Sequence, residues 1–142
     1  MIGWREWVGL PSLGDALVKA KIDTGARTSA LHAFDLSLVE SNDELFADFE
    51  IHPLQDSREG VVRVREPVID LRKIRSSNGQ IETRPVIEVP ARIGTQEFDI
   101  QLTLTSRDEM GFRMLIGRRA LRRRFVVDAA RSFLGQPPPP PA

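Results

Sequence analysis

The stretch Leu17-Val18-Lys19-Ala20-Lys21-Ile22-Asp23-Thr24-Gly25-Ala26 decides how this chain reads. Val18, Ala20 and Ile22 recur with the strand period of two and share one apolar face, while Lys19 and Lys21 face away. Asp23 ends the alternation, so its carboxylate projects from the rigid end of a strand. Gly25 permits a tight turn and a close approach of backbone to a bound group. The hydroxyls of Thr24 and Thr28 can lock the loop or hydrogen-bond the carboxylate. Read alone, Asp-Thr-Gly is also an ordinary turn tripeptide, and the motif needs support from the rest of the chain.

The same period recurs downstream. Leu45, Ala47, Phe49 and Ile51 alternate with mostly polar neighbours, and Phe98, Ile100, Leu102 and Leu104 alternate with Glu97, Asp99, Gln101 and Thr103. Strands of this kind bury one face and wet the other, as antiparallel sheets do. Ser76-Ser77-Asn78-Gly79 separates a run ending at Ile74 from the run Ile81 to Val89, and Asn-Gly is a strong hairpin signal. A second turn is expected over 91–95. Met114-Leu115-Ile116-Gly117-Arg118 reads as an apolar strand stopped by glycine, and a single short helix is expected over 118–124. We expect one domain over 1–135. The five consecutive prolines within 136–142 cannot pair in a sheet and predict a disordered tail.

Composition bounds the function. In 142 residues, 20 Lys+Arg balance 20 Asp+Glu, so no global field favours nucleic acid or an anionic membrane. With no cysteine, disulfides, thiolate metal sites and a cysteine nucleophile are excluded. The first residues are charged, with no apolar stretch of leader length, and nothing later is long enough to span a membrane, so a cytoplasmic protein is expected.

An Asp-Thr-Gly-Ala loop, a central hairpin, and an apolar strand closing in Gly-Arg, in that order from about Ala16 to Phe125, resemble the retropepsin fold. A closer resemblance lies in the run Ala20 to Ala33, with Ser76-Ser77-Asn78-Gly79, Glu82-Thr83-Arg84-Pro85, Leu102 to Arg107 and Leu115-Ile116-Gly117-Arg118. These are similar to a RimB-like, RimK-associated bacterial family known as ATP-dependent zinc proteases. The resemblance implies an all-β, retropepsin-like closed barrel with a flap hairpin and one short C-terminal helix. It also implies an aspartic peptidase linked to a RimK-type ATP-grasp glutamate ligase. Asp23, Thr24 and Gly25 would then be catalytic. Ala26, Arg27, Thr28, Ser77, Asn78, Gly79, Glu82, Arg84 and Arg118 would bind a peptide or protein substrate.

Aspartic peptidases hold two carboxylates about 3 Å apart so that they share a proton. One motif per chain therefore implies a homodimer with Thr24 at its axis. The residues do not supply the zinc and ATP sites of the family name. The two histidines, His32 and His52, carry no His-Glu-x-x-His spacing, and no phosphate-cradling Gly-rich loop is present. No cofactor and no metal ligand is expected. His52 falls on the polar face of its strand and is expected at the surface, and His32 is expected in a structural hydrogen bond.

Retropepsins usually carry an acid where this chain has Arg27, paired with the arginine that corresponds to Arg118. A carboxylate must then offset the two arginines: Glu6, Glu82, or an acidic substrate such as a glutamate-rich or glutamylated peptide. The five arginines of 118–124 read as a solvated face, with a docking patch as the alternative. A catalytically inactive binding module that docks a ligase or a ribosomal protein fits the same motif.

Overall fold

The computed structural model describes residues 1–53, 60–75, 79–106 and 112–135. Among them are eleven strands and one helix. The strands are β1 (Ile2–Leu10), β2 (Ala16–Ile22), β3 (Ser29–His32), β4 (Phe34–Ser41), β5 (Glu44–Ile51), β6 (Val62–Pro67), β7 (Asp70–Arg75), β8 (Ile81–Ile93), β9 (Gln96–Thr105), β10 (Met114–Ile116) and β11 (Val127–Ser132), with α1 (Arg118–Leu121) after β10.

Neighbouring strands run in the order β1-β2-β10-β3-β9-β8, and a β8–β1 pairing at Gly9 and Arg92 closes them into a ring of six. The all-β closed barrel is thus as expected from the resemblance. β7 extends the ring beyond β8, β11 lies parallel to β1, and β4-β5-β6 form a separate three-stranded sheet.

Alternation decides what fills the barrel. Val18, Ala20, Ile22, Leu31, Ile87, Val89, Ile100, Leu102, Leu104, Met114 and Ile116 are buried, and Ala47, Phe49 and Ile51 of β5 join them from the smaller sheet. Each large aliphatic side chain so removed from water contributes about 1.5–3 kcal/mol.

Three local expectations change. β8 runs through Pro90 to Ile93, so only Gly94 and Thr95 turn, because Ala91 and Ile93 still point into the core opposite Phe98 and Gln96 of β9. The helix stops at Leu121 rather than Arg124, since Arg122 is extended and Arg123 takes a φ of 66°. His52 is buried, 7% exposed, because β5 ends at Ile51 and the ring lies flat on Phe34 at 3.7 Å between centroids. His52 Nε2 lies 3.1 Å from Glu50 Oε1. His32, 5% exposed, stacks on Phe34 at 4.0 Å, so the phenyl ring stands between the two imidazoles. The tail 136–142 lies outside the described residues.

Candidate functional site

Asp23 leaves β2 where its backbone N–H donates to Ile116 O of the neighbouring β10 at 2.9 Å. The carbonyl of Asp23 accepts from Ala26 N–H at 3.2 Å, and Gly25 N–H donates to Asp23 Oδ1 at 2.9 Å. Gly25 does not adopt a left-handed φ; a Cβ there would lie 3.2 Å from the same Oδ1, a tight contact that a small shift of the carboxylate would have to relieve. Among the described residues nothing donates to Oδ2 of this half-buried carboxylate.

The strand-to-helix turn staples the loop. Arg118 N–H donates to Ala26 O at 2.7 Å, Arg119 N–H to Arg27 O at 3.2 Å, and Gly117 N–H to Ser29 Oγ at 3.0 Å. Arg118 adds Nη1 to Gly25 O at 3.0 Å. Gly117 has no room for a side chain, because a Cβ would run into the backbone of Thr28. Ser29 carries no part in the sequence reading, since its bond to Gly117 spans 88 residues and no local signal announces it.

Asp23, Thr24, Gly25, Ala26, Arg27, Thr28 and Arg118 therefore form one constellation. Two depressions flank it: one of about 400 Å³ against Thr24, Arg118, Leu121, Arg122, Phe125 and Val127, the other of about 260 Å³ reaching from Thr28 to Arg119, Arg72, Glu88 and Asp99. The remaining expected residues lie on a separate hairpin, β7–β8, which pairs Arg75 with Ile81 and Arg72 with Arg84. Gly79 sits at its end with a φ of 83°, a value suited to glycine. Ser77 and Asn78 fall outside the described residues. Glu82 and Arg84 pair with each other at 3.2 Å.

Neither carboxylate expected to offset Arg27 and Arg118 does so. Glu82 is engaged by Arg84, and Glu6 is buried, accepting N–H groups from Gly3 at 2.7 Å, Leu134 at 2.8 Å and Gly135 at 2.9 Å. Three backbone donors hold Glu6 as firmly as an ion pair would. Among the described residues no carboxylate pairs with Arg27 or Arg118. Nor does any group of three His, Asp or Glu side chains gather as metal ligands among them.

A family described as the RimB-like, "Retropepsin-like aspartic endopeptidase RimB" matches residues 1–138. The chain belongs to the RimB-like family. Relatives of this RimB-like chain include a "Probable alpha-L-glutamate ligase" of Shewanella halifaxensis, 45% identical over 137 residues, which are 96% of this chain and 30% of the relative. Another of the same name from Desulfotalea psychrophila is 45% identical over 130 residues, 92% of this chain and 28% of the relative. The RimB-like chain thus spans less than a third of the length of these curated relatives. In three dimensions it is similar to the crystal structure of a Legionella pneumophila protein of unknown function, Lpg0085 (DUF785). The TM-score is 0.78 at 24% identity, covering 95% of this chain and 97% of the other, a likeness of fold. Among the described residues no helix is long and apolar enough to cross a membrane.

Proposed function

We propose that this chain is an aspartic-type peptidase in which Asp23 activates a water molecule for attack on a peptide bond. The observation that supports the reading most directly is the Asp23 loop: one carboxylate oxygen is fixed by Gly25 N–H, the other accepts from no described residue, and the start of α1 bonds to the loop carbonyls of Ala26 and Arg27. The ionised carboxylate takes a proton from water, while a protonated partner donates to the scissile carbonyl. A second copy supplies that partner. Thr24 is exposed beside an apolar depression formed by Leu121, Phe125 and Val127, a surface suited to a two-fold contact that brings two Asp23 side chains together. The β7–β8 hairpin closes over an extended peptide, with Gly79, Glu82, Arg84 and the neighbouring Ser77 and Asn78 as its contacts. Arg27 and Arg118, which meet no carboxylate among the described residues, fit an acidic, glutamate-rich substrate. The glutamate-ligase names of longer relatives support work alongside an ATP-grasp ligase that makes such peptides.

The same relatives favour a second reading, a non-cutting module that docks a ligase. Cleavage of glutamylated peptides by wild type and Asp23→Asn separates the two. Under the peptidase reading the amide variant folds and binds but does not cut. Equal cleavage by both proteins would remove the aspartic mechanism.

A further inference from the structure

Side chains two apart on a strand share a face, so Lys21 and Lys19 point to the same side of β2 as the start of the Asp23 loop. Register carries that face sideways. Arg5 pairs with Lys21, Lys21 with Leu115, and Leu115 with Ala30, giving one row across β1, β2, β10 and β3. This is the outward side: Ala20, Ile22, Met114 and Ile116 are buried, while Lys21 is exposed and Arg5, Leu115 and Ala30 are half-buried. Trp7 and Lys19 form the next row.

The three cations of this face differ in freedom. Arg5 donates Nε to Ser132 Oγ at 3.0 Å and is held between Trp4 at 4.8 Å and Phe133 at 5.1 Å. Lys19 Nζ rests over Phe112 at 5.4 Å. The ammonium of Lys21 makes no contact of either kind, and none of the three pairs with a carboxylate among the described residues. Same-face side chains of an extended peptide repeat about every 7 Å, as do those of β2. A peptide that ran along this face from Asp23 would set a neighbouring side chain over Lys21, with Leu115 and Ala30 in the same row.

We propose that Lys21 is the specificity-determining residue of the Asp23 site: it reads an acidic side chain beside the scissile bond, with Arg5 and Lys19 supplying a fixed positive field behind it. The inference rests on the peptidase reading and adds a residue to it. Arg118 keeps further N–H donors for the same substrate, but its bond from Nη1 to Gly25 O fixes it beside the loop rather than on this row.

The test uses the full chain and a peptide set in which each position flanking the cleaved bond carries Glu, Gln or Lys. Wild type should favour Glu over Gln by roughly tenfold or more, the scale of a charge-assisted hydrogen bond. Lys21→Gln should erase the preference, Lys21→Arg should keep it, and Lys21→Glu should turn it toward Lys. Because Lys21 is exposed, folding should be unchanged, and the Gln variant answers the question if Lys21→Glu disturbs Asp23 by like-charge repulsion. The same peptides are titrated against Asp23→Asn, with and without Lys21→Gln, by tryptophan fluorescence. Unaltered Glu/Gln/Lys order in Lys21→Gln, in cleavage and in binding, overturns the assignment to Lys21 while leaving the peptidase reading intact. If wild type cuts no peptide, the peptidase reading falls, and binding alone decides Lys21: affinity for Glu peptides lost in the double variant upholds it, and charge-blind affinity ends it.

Discussion

The three-stranded sheet and the Asp23 face both carry basic side chains but treat them in opposite ways. On the sheet, Arg63 reaches Asp35 at 2.8 Å, Asp48 at 3.0 Å and Glu50 at 3.5 Å, and Arg65 reaches Asp48 at 3.1 Å. Around the loop, Arg5, Lys19, Lys21, Arg27 and Arg118 meet no carboxylate among the described residues. A balanced total of 20 basic and 20 acidic residues thus hides a segregation among the described residues: cations paired with carboxylates on one side, cations without a carboxylate partner on the other. Pairing within the fold serves stability modestly; under the proposed function, the cations beside Asp23 serve recognition.

The largest expected effect lies on the unpaired side. Asp23→Asn should lower kcat by roughly a thousandfold, within the range attributed to a positioned acid–base group, with little change in KM or melting temperature. Steady-state kinetics on a glutamylated peptide, with calorimetry as control, reads both. Next comes Gly117→Ala, which forces a methyl against Thr28 O and should cost about 3 kcal/mol while loosening the loop that carries Asp23. Denaturant melts measure the first consequence and kcat the second.

On the paired side the effects are smaller and should leave cleavage untouched. Asp48 titrates below its ordinary 3.8, chiefly because Arg65 donates to it, with the charge of Arg63 adding. A folded pKa lower than the unfolded one stabilises above pH 3.8 and is lost as pH falls through the folded value. Arg65→Gln should therefore raise the Asp48 pKa by NMR and shrink the acid-dependent loss of stability. If it lowers peptide affinity instead, the division between the two faces is wrong. Smallest is Glu66, whose pKa burial raises. A raised carboxyl pKa favours folding below its unfolded value and opposes it as pH rises through the folded one. Glu66→Gln should thus give a slight rise in melting temperature at neutral pH and none at pH 3, checked by scanning calorimetry.

Much of the barrel was legible in the sequence because alternation is a local signal. Lys19 and Lys21 faced away from Val18, Ala20 and Ile22 as their spacing required, and β9 followed its pattern as far as Leu102, beyond which Thr103 is buried along with Leu104. What stayed hidden depends on distant partners. The closure of β1 on β8 at Gly9 and Arg92, the grip of Ser29 on Gly117, and the occupation of Glu6 by backbone N–H groups of Gly3, Leu134 and Gly135 leave no trace in neighbouring residues. His52 was misread because the ring of Phe34 covers a face that alternation alone marks as wet. Asp-Thr-Gly announced the loop; the cationic row beside it needed the register of four strands.

Glu6 has one further consequence. Its two oxygens hold Gly3 near the start of the described fold and Leu134 and Gly135 near its finish, and β11 lies parallel to β1 beside them. The polypeptide therefore enters and leaves this unit at almost one point. Such a unit can be threaded into a longer chain by a single attachment region without prying the barrel open, which suits a segment found within relatives more than three times its length. It also means that the outermost strands must find each other across nearly the whole sequence, a high contact order that predicts folding in milliseconds to seconds rather than microseconds.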